Sequence, residues 1–317
     1  MSTPLHTPYD GSAKAFQIGL KPLELAEWID VDDRLTAYLD EKDRVRAAHG
    51  AEVFVAEAGT EAAQAEVLEL LAAHLPSRFP ALYRREGDEM WIVPAARRVA
   101  LDQVRMPPLQ VAASLVQEDL VLLRKSEAGW RLVAGALDFP SSWSLREKFG
   151  RPMHEVHGPV PGFGAGTRNA GMIDRMFDHL RPEMPVLRWN WSLFGDDRLF
   201  HPESSHPDQP RFGPRGESLF LRVERQTLRK LPASGDILFT IRIYVDPIAE
   251  LERHADAARI AAALATQLGE LSTEQLGYKG LLRERETLVA RLRTIAGRGG
   301  EDPSPAAPAR SQAGRRP

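Results

Sequence analysis

The 317-residue sequence contains no cysteine. That absence excludes disulfides, thiolate nucleophiles, cysteine-ligated zinc, iron–sulfur clusters, thiolate-ligated haem and covalent haem attachment. Any metal centre must use His, Met, Tyr or carboxylate ligands. Long apolar runs are missing as well: none approaches the ~20 residues that span a bilayer. Residues 1–19 show no basic segment leading into an apolar core, so no secretory leader is expected and the cytoplasm is the expected compartment. Nor does one charge dominate, since 41 basic against 44 acidic residues leave a net −3. Such a balance creates no field for nucleic acid or an anionic membrane, and neither is an expected partner. A G-x-G-x-x-G loop for a nicotinamide cofactor is also absent.

What is present is an ordinary globular composition, 43% hydrophobic and 27% charged, enough for one large domain with additions or two small ones. Residues 1–108 read as a surface arm and a helical layer. Leu25, Trp28 and Ile29 share one face of a helix begun at Pro22. Leu35, Tyr38, Leu39 and Val45 stripe a second helix over 32–48. Val67, Leu68, Leu71 and Leu75 stripe a third, capped by Thr60 and ending before Pro76. Residues 90–93 predict a short strand, and Pro108 opens a short helix. Residues 119–125 and 130–139, joined by Glu127-Ala128-Gly129, predict a β-hairpin. A short helix over 143–149, capped by Ser141 or Ser142, and a longer one over 170–180 follow.

Three more strands are predicted over 186–194, 219–228 and 237–245. The Pro-, Asp- and Gly-rich loop at 195–216 has the length of a functional lid or a disordered segment. Residues 248–296 turn helical, one helix covering 248–268 and a capping box opening at Ser272-x-x-Gln275. Residues 297–317 have the composition of a disordered tail. Two strands, helical crossovers and three consecutive strands is the order of a PAS-type sheet. The expected fold is therefore α+β: a PAS-like antiparallel sheet of about five strands, with its core at 109–247 and helical N-terminal and C-terminal additions. Such a sheet leaves a pocket between itself and the crossover.

The crossover holds Met153-His154-Glu155-Val156-His157-Gly158-Pro159-Val160-Pro161-Gly162. Two histidines precede a run that cannot stay helical, because proline fixes φ and lacks a backbone donor. A histidine held before such a corner has a set direction, which suits a metal ligand or a structural residue; on this ground His154 and His157 are equivalent. On the strand at 219–228, alternation sends Val223, Arg225 and Thr227 one way and Arg222, Glu224 and Gln226 the other. Polar groups in mid-strand must face solvent or be paired. Trp189 and Trp191 flank Asn190; strand aromatics commonly serve packing, whereas Asn190 is less easily explained that way. Gln117-Glu118-Asp119 suits a capping or turn role, and His179 a helix C-terminus.

The sequence resembles the family of haem-dependent oxidative N-demethylase alpha subunits over residues 16–280. Six separated segments carry the resemblance in order: Phe16-Gln17-Ile18-Gly19-Leu20-Lys21-Pro22-Leu23, Val116-Gln117-Glu118-Asp119-Leu120, His157-Gly158-Pro159-Val160-Pro161, Asn190-Trp191-Ser192-Leu193, Val223-Glu224-Arg225-Gln226-Thr227-Leu228-Arg229 and Phe239-Thr240-Ile241-Arg242. The resemblance implies a PAS-like domain binding haem b (iron). Its implied activity is O2-dependent demethylation of a small secondary amine such as dimethylamine, releasing formaldehyde. It also implies a flavin and iron–sulfur reductase subunit supplying electrons and a tetrahydrofolate-binding subunit taking up formaldehyde. With no cysteine, this chain cannot hold that cluster itself. On this reading His157 is the iron ligand, with Arg222, Arg242 and Trp191 contacting the haem. Glu224, Asn190 and Arg225 are the catalytic candidates, Glu224 pairing with an ammonium substrate or relaying protons. The competing expectation is a non-catalytic PAS-type sensor or scaffold binding haem or another small ligand.

Overall fold

The structure, a computed structural model, describes residues 6–203 and 218–298. The expected tail from residue 299 onward and the 195–216 loop from residue 204 onward lie outside the described residues.

Chain order begins with a two-residue strand, β1 (Lys21–Pro22), and a 3-10 turn at Leu25–Glu27. The helix expected from Pro22 does not form. Lys21 and Pro22 instead pair with Leu187 and Val186, and the Leu23 amide donates to the Pro185 carbonyl at 2.9 Å. A neighbouring strand edge thus takes the backbone groups that a helix would have satisfied internally. Trp28 and Ile29 are still buried.

Helix α1 (Leu35–Val53) buries the expected stripe of Leu35, Tyr38, Leu39 and Val45, and adds Lys42 to it. Strand β2 (Phe54–Ala56) leads into α2 (Glu61–Arg78). Thr60 precedes α2 without capping it: its hydroxyl donates to the Glu57 carbonyl and accepts from Gln64 Nε2. The helix also runs two residues past Pro76 rather than stopping before it. A proline so near a C-terminus costs one hydrogen bond of the last turn. Strands β3 (Tyr83–Glu86), β4 (Glu89–Ile92) and β5 (Arg97–Ala100) form a separate three-stranded antiparallel sheet, of which β4 alone was predicted. Pro108 then opens α3 (Pro108–Ala113) as its first residue.

The hairpin forms as β6 (Asp119–Ser126) and β7 (Gly129–Ala136). Gly129 sits at φ +95°, a turn position that other residues rarely adopt. Three crossover helices follow: α4 (Leu145–Lys148), α5 (Met153–Val156) and α6 (Arg168–His179), the last capped by Thr167, whose hydroxyl accepts from the Ala170 amide. Neither Ser141 nor Ser142 caps α4. Ser141 Oγ accepts from Arg222 Nε at 2.8 Å, and Ser144 occupies the cap position.

Strands β8 (Val186–Phe194), β9 (Phe220–Lys230) and β10 (Ile237–Pro247) then complete the main sheet. The helix expected over 248–268 is two helices, α7 (Ile248–Glu252) and α8 (Ala257–Glu270). Helix α9 (Thr273–Lys279) carries the predicted Ser272/Gln275 capping box, and α10 (Arg285–Arg298) follows.

The main sheet is antiparallel throughout and runs β1-β8-β9-β10-β6-β7-β2. The five predicted strands are contiguous in its middle, and β1 and β2 extend it to seven. Both sheet faces are covered, so no solvated face exists in the centre. Leu120, Leu122 and Leu238 pack on α2 and α3, while Trp191, Val223 and Tyr244 pack on α8 and α10. The opposite face, carrying Val121, Leu228 and Ile241, meets Met153, Ile173 and Phe177 of the crossover. Strand alternation assigns each of these residues to its side.

Candidate functional site

Between the second sheet face and the crossover lies a cavity of about 800 Å³. That volume falls inside the ~300–1,000 Å³ usual for small-molecule and cofactor sites. Its walls are mainly apolar: Val121, Leu123 and Ile241 from the sheet, Phe163, Ile173 and Phe177 from the crossover. The arm at Phe16, Ile18 and Leu20 and helix α9 at Gly277, Tyr278 and Lys279 complete the enclosure. Phe16 and Tyr278 meet edge-on with ring centroids 5.8 Å apart. Two cavity residues, Phe16 (φ +58°) and Ser142 (φ +63°), hold the left-handed conformation that side chains other than glycine rarely adopt. Strained backbone of this kind clusters at ligand sites.

His157 stands on the crossover wall. Helix α5 is a single turn whose last hydrogen bonds place His157 as its C-cap, with its amide on the Met153 carbonyl at 2.9 Å. Gly158 then turns the chain; a Cβ there would approach the Glu155 carbonyl to 3.1 Å. The proline corner thus does set this residue's direction. Burial pushes His157 down to about 4, with the Arg188 and Lys148 charges adding and a hydrogen bond to the Met153 carbonyl opposing. Its imidazole is therefore neutral near pH 7 and offers a lone pair. His154 does not line the cavity, and His179 sits exposed at the end of α6 with Nδ1 2.6 Å from the Arg175 carbonyl.

On the sheet wall, Glu224 is 8% exposed and directly opposite Asn190. Glu224 Oε2 accepts from Asn190 Nδ2 at 3.2 Å and from Gln226 Nε2 at 2.6 Å. Both donors fall on one oxygen, and Oε1 accepts no hydrogen bond among the described residues. Arg188, one alternation before Asn190, lines the same wall. Lys279 reaches it from α9: its Nζ donates to the Trp191 carbonyl at 2.5 Å, on the edge of β8 that β1 leaves uncovered. Burial pushes Lys279 down to about 8, with Glu224 opposing the shift and Arg188 adding to it.

Four of the predicted residues lie elsewhere. Arg222 shares the face of Glu224, but its guanidinium is spent on the Phe139, Pro140, Arg198 and Leu199 carbonyls and on Ser141 Oγ. Arg225 and Arg242 point to the opposite face. Arg225 donates to the Glu27 and Trp28 carbonyls, while Arg242, 0% exposed, bonds Asp32 Oδ2 at 2.7 Å between the Tyr38 and Tyr244 rings. Trp191 packs into the C-terminal helical core, below Lys279. His157, Asn190 and Glu224 are therefore the predicted residues that the fold brings to one cavity. Arg188, Gln226 and Lys279 join them unpredicted. Alternation on β8 and β9 was a signal for the first two, whereas nothing local marked Lys279.

Gln117, Glu118 and Asp119 hold backbone. Gln117 and Asp32 bond reciprocally, Glu118 accepts the Asp30 amide, and Asp119 accepts the amides of Asp138 and Phe139.

Among the described residues, no three His, Asp or Glu side chains converge to hold a bare metal ion. Iron within a porphyrin already has four ring nitrogens and asks for one axial donor. An apolar cavity with a neutral histidine on one wall and cations for acidic substituents fits that group. Among the described residues no helix is long and apolar enough to cross a membrane.

A family model described as haem-dependent oxidative N-demethylase, alpha subunit-like, matches residues 19–289 and so spans every wall of this cavity except Phe16 and Ile18. That description is of one subunit in a multi-subunit system. The chain belongs to the haem-dependent oxidative N-demethylase alpha subunit-like family.

Proposed function

We propose that this chain binds haem b in the cavity, where His157 would hold the iron, and oxidatively removes a methyl group from a small N-methylated amine. The observation that carries this reading is the pairing of two walls: a neutral histidine fixed by a proline corner, and a buried carboxylate on the sheet with one oxygen unclaimed. We read the middle five strands as the PAS-like core, supported by their order of two, a crossover and three. In this reading residues 109–247 form the haem domain, 1–108 and 248–296 cover it, and the cytoplasm is its compartment.

Haem, when bound, supplies the O2-dependent oxidation of the N-methyl carbon. The chain's residues do the rest. Glu224 Oε1 accepts from the substrate ammonium, while Asn190 and Gln226 hold the carboxylate in place through Oε2. Once the carbon carries a hydroxyl, its C–N bond breaks to give formaldehyde and the shortened amine. The hydroxyl proton leaves and the nitrogen gains one, a transfer for which Glu224 is positioned. The apolar walls exclude water from that step. Arg222 and Arg242 are not part of this proposal: the Arg222 donors are engaged by backbone carbonyls and Ser141, and Arg242 lies on the opposite sheet face, tied to Asp32. Electrons come from a flavin and iron–sulfur reductase subunit, and formaldehyde passes to a tetrahydrofolate-binding subunit.

The test is an absorption spectrum of protein expressed with added haem precursor. A Soret band is expected, and its shift or loss in His157→Ala would identify the ligand. A protein with no Soret band ends the haem reading; a band unmoved by His157→Ala removes His157 from the iron.

A further inference from the structure

Arg188 is short of partners. A guanidinium has five N–H donors. Among the described residues, however, its one hydrogen bond runs from Nη2 to the Gln17 carbonyl at a long 3.3 Å, and Nε is buried with none. The acidic group whose charge acts most on it is Glu224, and that carboxylate has one oxygen taken by Asn190 and Gln226. Lys279 adds a second cation in the same corner, tied by Nζ to a neutral carbonyl. Half-buried Arg188 and buried Lys279 face one buried carboxylate here, beside the neutral amides of Asn190 and Gln226. A buried charge without a counter-charge is costly, and such an excess calls for an anion.

We propose that Arg188, backed by Lys279, is a carboxylate-binding subsite of the cavity. Its Nη1, which makes no hydrogen bond among the described residues, and Nη2, with the long bond to Gln17, present the paired donors that a carboxylate accepts side by side. Two sources share this chemistry. One is the carboxylate of an N-methylated amino acid, whose ammonium would reach Glu224 Oε1 while its carboxylate meets Arg188. The other is a propionate of the haem. The inference rests on the cavity being the ligand site proposed above, but its test does not require turnover.

Haem-free protein is titrated calorimetrically with N-methylglycine and, separately, with dimethylamine. In parallel, affinities for haem and for haem dimethyl ester, which lacks both carboxylates, are compared. Each measurement is made on wild type, Arg188→Gln and Arg188→Lys. If the substrate supplies the carboxylate, N-methylglycine binding falls about tenfold or more in Arg188→Gln, as loss of a charge-assisted hydrogen bond predicts. Dimethylamine binding then holds, and haem and its ester bind alike. If haem supplies it, wild type prefers haem to the ester by about tenfold or more, and Arg188→Gln loses that preference.

Arg188→Gln removes a half-buried charge that has no ion-pair partner within 4 Å among the described residues, so its ligand-free melting temperature is expected at or above that of wild type. Arg188→Lys keeps the charge without the fork and is expected to fall between the other two. The subsite is overturned if both N-methylglycine binding and the haem-to-ester preference are indifferent to Arg188. Failure of haem to bind in either form ends the haem reading alone; the N-methylglycine titration then decides the subsite by itself.

Discussion

Asn190 and Glu224 face each other across β8 and β9, and the Asn190 amide donates to the Glu224 carboxylate at 3.2 Å. Gln226, two residues further along β9, donates to the same oxygen at 2.6 Å. Side chains two apart on a strand share a face, and residues in register on neighbouring strands share it too. Three polar side chains from two strands therefore converge in an apolar wall. Two neutral amides orient the carboxylate through one oxygen, and Arg188 and Lys279 share the wall with it.

Glu224→Gln tests that role. The substitution keeps volume and conformation, so the melting temperature is expected to stay within a few degrees of wild type and any haem to be retained. Affinity for dimethylamine is expected to drop by roughly 1.5–3 kcal/mol, the worth of a hydrogen bond to a charged group. Spectral titration with the amine measures it, and an unaltered titration would take Glu224 out of the amine site.

His74 predicts a pH dependence. Burial pushes it from 6.5 down to about 4, with Arg229 and Arg78 adding to the shift. It sits against Trp28 and Phe79, and its Nε2 is buried without a partner. Between these two pH values the unfolded chain takes up a proton that the folded chain refuses. The stability at stake is complete above the unfolded value, declines as pH falls through this window and levels off below the folded value. His74→Phe has no proton to take up, so urea denaturation at pH 7, 5.5 and 4.5 should show a shallower decline than wild type. Equal declines would contradict the assignment.

Lys42 is expected to be the most damaging single truncation on the other side of the molecule. Its Nζ is buried, 3.7 Å from Asp138 and 4.0 Å from Asp119, and donates to the Ala113 and Glu118 carbonyls. Lys42→Met leaves the two carboxylates with Arg46 as the remaining charge partner, on Asp138. A loss of about 3–5 kcal/mol is expected from breaking such a buried cluster. Denaturant melts report it, and a loss under about 1 kcal/mol would show that water or relaxation compensates.

Ser272→Ala removes one half of the capping box on α9 and is expected to cost about 1 kcal/mol. Since α9 carries Tyr278 and Lys279 to the cavity, loosened ligand binding should accompany the stability loss. Hydrogen exchange across residues 272–280 checks it: faster exchange is expected there, with β9 unchanged.

The sequence by itself determined which residues alternate on β8, β9 and β10, because strand geometry has a period of two and needs no knowledge of partners. Glu224 and Asn190 therefore stood out separately as polar positions within strands, and their pairing came from the register of β8 with β9. The corner after His157 was also legible, since Gly and Pro restrict the backbone locally. Partners were decided by tertiary structure alone. Arg222 and Arg242 both suited haem contacts by the resemblance, yet the fold gives Arg242 an aspartate 210 residues away and Arg222 a carbonyl 83 residues away. Those bonds consume donors that a ligand would otherwise have met. Arg188 has a single long bond to the Gln17 carbonyl, because the arm that packs on it offers no acidic partner. Lys279 lies 88 residues from Trp191 in the chain and enters the cavity only because the C-terminal helices fold back along the free edge of β8. Local geometry sets where a side chain points, and what it meets there depends on distant segments that periodicity does not encode.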